Sequence, residues 1–327
     1  MAPELIVYGC LTLDNVVTAE GVRLPQVFAG NALYAALGAR VWNDSVGVVS
    51  RAGVNYPSAC FDLLDHLGVA HEGVRRSPAS HGRNMAFVYS PDGSRSRRIP
   101  AEIMAAIPAE ERDRFLDTTL QPDAREKWLA FSPNADDTPE DWWSATKGVH
   151  CAAIPMARQA TIVAAARSRA ARDVWAQIDS SWQDKAAHGR ESDTGLLADL
   201  DALLPSEADL ADYCAGVPPA QVVRTLLAVG AKRIILKRGG EGCDIYGSDG
   251  ATIHVPVVSV RAVDPTGAGD AFCGGFLAGV CATGDVLMAA RQGAVSASFA
   301  IERNGLDGLA RADRREAAAR LSSLVQN

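Results

Sequence analysis

At 327 residues, with 48% hydrophobic and 22% charged side chains and a formal net charge of −7, the chain has the make-up of a globular protein with a sizeable core. That acidic balance excludes a general binder of nucleic acid or of an anionic membrane, and no apolar span has the length of a membrane helix. Seven cysteines without a Cys-x-x-Cys pair and six histidines without metal-ligand spacing argue against a disulfide frame or a tightly bound transition metal. Met1–Glu4 carries no cationic segment and the apolar run after it is short, so the expectation is a cytoplasmic protein without a secretory signal.

Short β-rich runs alternate with longer Ala/Leu-rich ones. Leu5–Tyr8 reads as a buried strand, Asn31–Trp42 as an apolar helix and Ser45–Ser50 as a strand. Phe61–Leu67 reads as helical and Met85–Tyr89 as extended. Met85–Ile99, with Ser90-Pro91-Asp92-Gly93 at its centre, has the turn chemistry of a β-hairpin, and its second arm, Ser94–Arg98, is basic. Ala101–Phe131 is charged and irregular, with a helical piece at Ala109–Leu116, and reads as a surface insertion. A strand ending at His150 follows, then the helix Ala160–Ala171, the strand Val174–Ile178, the helix Ala220–Val229 and the strands Arg233–Lys237 and Ile253–Val260. This alternation predicts a mostly parallel sheet covered by helices on both faces. No internal repeat or clean linker divides it.

The most informative run is Val263-Asp264-Pro265-Thr266-Gly267-Ala268-Gly269-Asp270, between that last strand and an apolar helix starting near Asp270. Gly267, Ala268 and Gly269 have almost no side chains, so an anion can reach their N–H groups. A helix N-terminus leaves such donors unpaired and favours negative charge, which makes an anion hole for a migrating phosphoryl group. Asp270 stands where a phosphoryl acceptor must lie, expected ionised beside the helix end and able to take a proton from a hydroxyl. Gly274 and Gly275 predict close packing of that helix on a neighbour, since interior glycine costs about 1 kcal/mol. Gly-x-Gly alone also fits an ordinary turn with an Asp cap. No Gly-Lys-Ser/Thr follows, which excludes a Walker A loop, and the spacing fits a dinucleotide fingerprint poorly.

Over Asp264–Leu277 the chain resembles the second signature of the PfkB, or ribokinase-like, carbohydrate kinases. The resemblance implies an α/β fold, a three-layer α/β/α sandwich with a mostly parallel central sheet and a small, reduced β lid, as one domain over 1–327. Segments 11–30 and 83–131 would be lid and insertion over the substrate site. It implies ATP-dependent phosphorylation of a hydroxyl on a sugar or sugar-like small molecule, with Mg2+. In some members a monovalent cation binds near the position of Asp264.

The family's other stations follow in order. Tyr8–Asp14 resembles the first strand and its Asp, whose carboxylate accepts from adjacent hydroxyls. Phe28-Ala29-Gly30-Asn31-Ala32 resembles the first signature, with Ala29 replacing a glycine; Gly30 and Asn31 would meet the acceptor, although Asn31 also fits a plain helix cap. Arg83 and His150 are further acceptor-side candidates. Pro133–Ala135 and Thr138–Asp141 resemble the stretch before the central strand. Leu204–Asp209 resembles an Asn-x-x-Glu station. Ser206 stands there for the Asn on the nucleotide side, and Asp209 and Glu207 would hold Mg2+ through water. Lys237, Gly239 and Gly242 resemble the segment under the nucleotide phosphates, and Ala294 falls where many members carry Asn near the base. Two other readings stay open: a nucleoside or vitamin-type alcohol as acceptor, and a non-catalytic sugar- or nucleotide-sensing relative. Monomer and homodimer are both compatible with so short a lid.

Overall fold

Strands buried on both faces read as nearly unbroken apolar runs, and Leu5–Tyr8 is the pattern's centre: Leu5 and Val7 enter one hydrophobic core, Ile6 and Tyr8 the other. The computed structural model describes residues 2–18, 21–89, 95–179 and 190–326. In chain order the strands are β1 (Leu5–Tyr8), β2 (Thr12–Val17), β3 (Arg23–Ala29), β4 (Val46–Ala52), β5 (Ala70–Arg76), β6 (Asn84–Tyr89) and β7 (Arg95–Ser96), then β8 (Gly148–Cys151), β9 (Trp175–Ile178), β10 (Ala202–Leu203), β11 (Arg233–Lys237), β12 (Cys243–Gly247) and β13 (Thr252–Val255). The helices are α1 (Asn31–Arg40), α2 (Ser58–Leu67), α3 (Ala101–Ala106), α4 (Ala124–Phe131), α5 (Met156–Arg169) and α6 (Arg190–Asp199), then α7 (Glu207–Tyr213), α8 (Pro219–Ala228), α9 (Ala268–Thr283), α10 (Val286–Ile301), α11 (Asp307–Ala310) and α12 (Arg314–Gln326).

The large sheet has the order β13-β12-β11-β10-β9-β8-β1-β4-β5. From β11 to β5 every pairing is parallel, and β12 and β13 add an antiparallel edge. Helices α1, α9 and α10 supply one core, and α5 and α8 the other, so the sheet is the middle of three layers. The expected close approach of α9 is present. A Cβ on Gly274 would lie 1.8 Å from the Ala35 carbonyl oxygen of α1, and one on Gly275 would meet the Ser296 hydroxyl of α10 at 2.4 Å.

A second, small sheet has the order β3-β2-β6-β7. Here β2 runs antiparallel to β3 and parallel to β6, and β6 pairs antiparallel with β7. The expected hairpin is therefore β6–β7, and its Ser90–Ser94 turn lies outside the described residues.

Three expectations need correction. The insertion is helical at Ala101–Ala106 and Ala124–Phe131, with short 3-10 turns at Arg112–Phe115 and Thr118–Leu120 between them. Ala109–Leu116 lacks an apolar stripe and buries only Phe115, whereas α4 buries Trp128 and Phe131. The last strand stops at Val255, because Pro256 has no N–H for the ladder. Helix α9 begins at Ala268, after Gly267 in a left-handed conformation (φ 75°).

Candidate active site

Strand β1 leads to a turn that starts β2, and α1 starts after β3, so Asp14 and Asn31 meet at one end of the sheet. Residues Asp14, Gly30, Asn31, Arg83, Gly267 and Asp270 all line a single cavity of about 310 Å³, which Asp209 also reaches. Segments more than 250 residues apart in sequence thus converge on one cavity. No side chain caps the N-terminus of α9, and the turn opens on this cavity. Ala268 N–H donates to Pro265 O at 3.3 Å, and the Thr266 N–H is taken by Asp264 Oδ1 at 2.9 Å.

Asp270 is half-buried in the cavity wall. Burial, then the Asp179 charge, raises its pKa from 3.8 to about 7; Lys237 offsets part of this and Asp209 adds to it. The expectation of a carboxylate kept ionised by the helix end is corrected, since burial favours the neutral acid here. A base that titrates near neutrality is the better matched to proton abstraction.

Asp14 is 7% exposed and accepts from Thr12 Oγ1 at 2.8 Å. The β2–β3 ladder shifts register between Asp14 and Val16. Asn15 Oδ1 accepts from the N–H of Gln26, a residue forced to φ 54°. Such a bulge re-aims the side chain beside it. Asn31 Oδ1 accepts from Cys10 N–H at 2.8 Å and its Nδ2 donates to Ala153 O at 3.2 Å, tying the ends of β1 and β8 together. One donor and one acceptor of that amide remain for a ligand. Gly30 has φ 123°, and a Cβ there would lie 2.3 Å from Cys10 O; the backbone itself requires the glycine.

The polar stations divide. Ser206 and Asp209 form a reciprocal cap on α7, with Asp209 Oδ2 accepting from Ser206 N–H (2.7 Å) and Oγ (2.6 Å). Glu207 is drawn aside by Arg238, whose Nε donates to Glu207 Oε1 at 3.1 Å. The Lys237 ammonium is bound to Asp179 Oδ2 at 2.7 Å, and it lies 3.5 Å from where a Cβ of Gly269 would be, directly under the turn. Burial opposes its charge, yet Asp179 and Cys273 raise its pKa above the usual value, so it is a fixed cation. Gly239 (φ 55°) and Gly242 (φ 92°) make the β11–β12 turn. Asp264, 7% exposed, accepts from the Tyr89 hydroxyl of β6 at 2.8 Å.

His150 and Ala294 do not serve as expected. Strand β8 continues to Cys151, so His150 is fully buried beside Gln177, with its pKa pushed down to about 3 by burial and by Lys237. Ala294 is buried where α10 meets the core, and its side chain carries no polar atom.

Sequence reasoning missed Tyr34, Trp128 and Asp179. Tyr34 and Trp128 both line the cavity. Tyr34 lies one turn after Asn31 on the same face of α1, the lone polar-tipped residue in an Ala/Leu run, and that was a usable signal. Trp128 comes from the insertion, and nothing local shows which way it faces.

Among the described residues no three His, Cys, Asp or Glu converge as a direct metal cage. Of the four aspartates that line the cavity, Asp209 and Asp212 fit a hard cation held largely through water and phosphate oxygens. Also among the described residues, no helix is long and apolar enough to cross a membrane.

An uncapped helix end, a carboxylate above it and polar groups opposite define a phosphotransferase of α/β architecture. The chain belongs to the pfkB family of carbohydrate kinases, whose pattern matches residues 109–311. It is 23% identical over 282 residues to the cytidine kinase of Thermococcus kodakarensis, covering 84% of this chain and 88% of that protein. Its fold is similar to an E. coli ribokinase II solved with ATP and Mg2+ (TM-score 0.70, 16% identity, 98% of this chain and 99% of the other). It is also similar to the Burkholderia thailandensis nucleoside kinase in complex with inosine (TM-score 0.70, 18% identity, 98% and 96%).

Proposed function

We propose that this protein transfers the γ-phosphoryl group of ATP to a hydroxyl of a sugar, or of the sugar moiety of a nucleoside. The observation that carries this reading is the uncapped N-terminus of α9 opening on the cavity that Asp14, Asn31 and Asp270 share. Asp270 takes the acceptor's hydroxyl proton as the oxygen–phosphorus bond forms and the bond to the ADP oxygen breaks. The N–H groups of Gly267 and Gly269, with Lys237 fixed beneath them, stabilise the charge on the migrating group, while the Ala268 N–H, expected to share in this, is given to Pro265 O. Asp14, with what remains of the Asn31 amide, orients the acceptor, and Arg83 adds a donor from the lid side. Asp209 would hold Mg2+ through water, an ion that neutralises phosphate charge when bound. Asp264 is the residue a monovalent cation would meet. The protein acts in the cytoplasm on small molecules.

A nucleoside acceptor is favoured as the second reading by the apolar side of the cavity, where Met85, Phe87 and Trp128 could face a base. ADP formation with Mg2+ over a panel of free sugars, sugar acids and nucleosides tests both. Phosphorylated product from one class identifies the acceptor; no ADP above the rate without acceptor would overturn the kinase reading.

A further inference from the structure

Among the described residues that line the 310 Å³ cavity, Arg83 is the one cation, beside Asp14, Asp209, Asp212 and Asp270. None of these aspartates forms an ion pair with it, and its guanidinium has no hydrogen-bond partner among the described residues. Its Nε is sealed from solvent and bonded to nothing, while the two outer nitrogens, equally without a partner, stay accessible. The guanidiniums that tie the surrounding structure together are engaged quite differently. Arg97 grips both oxygens of Asp117 (3.0 and 3.2 Å), and Arg51 both oxygens of Asp137 (2.7 and 3.2 Å). Arg83 holds no part of the fold in this way.

Its place is nonetheless fixed. Arg83 O accepts from Leu13 N–H at 2.9 Å, and Thr118 Oγ1 accepts from Asn84 N–H at 2.9 Å while lying 3.0 Å from the Gly82 carbonyl oxygen. Asp14 pairs with Met85 across β2 and β6, two residues beyond Arg83, which sets the guanidinium on the acceptor side of the cavity. An acceptor filling the cavity displaces its water, and with the water goes the solvation of this charge. A neutral polyol would leave the cation stranded in a desolvated site. An anionic group would replace the lost solvation with charge-assisted bonds, and the planar fork of an arginine matches two oxygens of a carboxylate or phosphate. We propose that Arg83 is a specificity-determining residue that pairs with an oxyanion carried by the phosphoryl acceptor, which is therefore a sugar acid or a sugar phosphate and not a neutral sugar. This rests on the kinase reading above. The four aspartates repel an anion wherever Arg83 is out of reach, so they also set the orientation: the anionic end lies against Arg83, and the hydroxyl to be phosphorylated lies at Asp270.

The test compares wild type with Arg83→Gln and Arg83→Lys on acceptors matched except for the anion: D-gluconate with D-glucitol, and D-fructose 6-phosphate with D-fructose. D-ribose and cytidine serve as neutral references, and both ADP formation and calorimetric binding are measured. The expected result is an anionic acceptor used with kcat/KM at least about tenfold above its neutral counterpart, the two arms showing which oxyanion is read. Arg83→Gln should lower kcat/KM on that acceptor about ten- to hundredfold, mainly through KM, and bring it level with the neutral counterpart; Arg83→Lys should recover part of the loss. A preference for the neutral members overturns the proposal. So does an equal loss by Arg83→Gln on every acceptor, which would place Arg83 on the migrating phosphoryl group instead. If wild type binds an anionic member, loses it in Arg83→Gln and yet forms no ADP, the kinase reading fails alone. Wild type that binds neither anionic member overturns the proposal, while ADP formed on D-ribose or cytidine then upholds the kinase reading. Should Arg83→Gln fail to fold, equal use of matched members by wild type refutes the assignment, and preference for an anionic one upholds it.

Discussion

Asp270 carries two opposed demands: it must accept a proton near neutrality, and it must be buried enough for the accepted proton to matter. With its pKa at about 7, the carboxylate is largely protonated below that pH. We expect kcat/KM to rise with pH and reach half its plateau near pH 7, as a pH–rate profile on the free enzyme would show. A profile flat from pH 5 to 8 would contradict the assignment. The same shift has a stability consequence. The folded-state pKa lies above the unfolded one, so ionisation of Asp270 works against folding. The penalty is absent below about pH 4, grows as pH rises toward 7, and is constant above. Asp270→Asn should therefore melt a few degrees higher than wild type at pH 8 and together with it near pH 4, as calorimetry would show. Part of this was legible in sequence: an Asp after Gly-Ala-Gly at a helix start. The direction of its pKa was not, because it depends on Asp179 and on burial, and neither is visible in the neighbouring residues.

At the scale of elements, α9 is held at its position by backbone contact. Its Gly274 faces the Ala35 carbonyl of α1 and its Gly275 the Ser296 hydroxyl of α10. Gly38 of α1 approaches α9 in return, since a Cβ there would lie only 2.3 Å from the Ala271 carbonyl oxygen. Gly274→Ala would drive a methyl into a carbonyl that cannot retreat without moving α1. Overpacking of this kind costs about 1–3 kcal/mol or more, so denaturant unfolding should show a clear fall in midpoint. Turnover should fall too, because α1 carries Asn31 and Tyr34. An unchanged midpoint would mean that the helices are free to separate. The glycine pair announced this contact in sequence, although not its partner. The β2–β3 arm of the small sheet was less legible: β3 is largely exposed along Arg23–Gln26, so no apolar alternation marked it.

At the scale of the whole molecule, the large sheet carries Asp209 and the turn before α9 to the cavity, and β2 of the small sheet brings Asp14 to it. The insertion packs on the small sheet: Phe115 and Ile107 cluster with Val17 and Val88, and Trp128 reaches the cavity. Alternating strands and helices made the three layers readable beforehand. Long-range pairings, such as Lys237 with Asp179 and Tyr89 with Asp264, were not, since only the folded chain brings them together. The account's central claim is that the α9 turn and its aspartate perform the transfer. It is tested most directly by steady-state ADP formation of Asp270→Asn with saturating ATP, Mg2+ and acceptor, beside the melting shift each ligand induces. The account predicts turnover lower by roughly 10²–10⁴ with the ligand-induced shifts retained. Turnover within about threefold of wild type would contradict it.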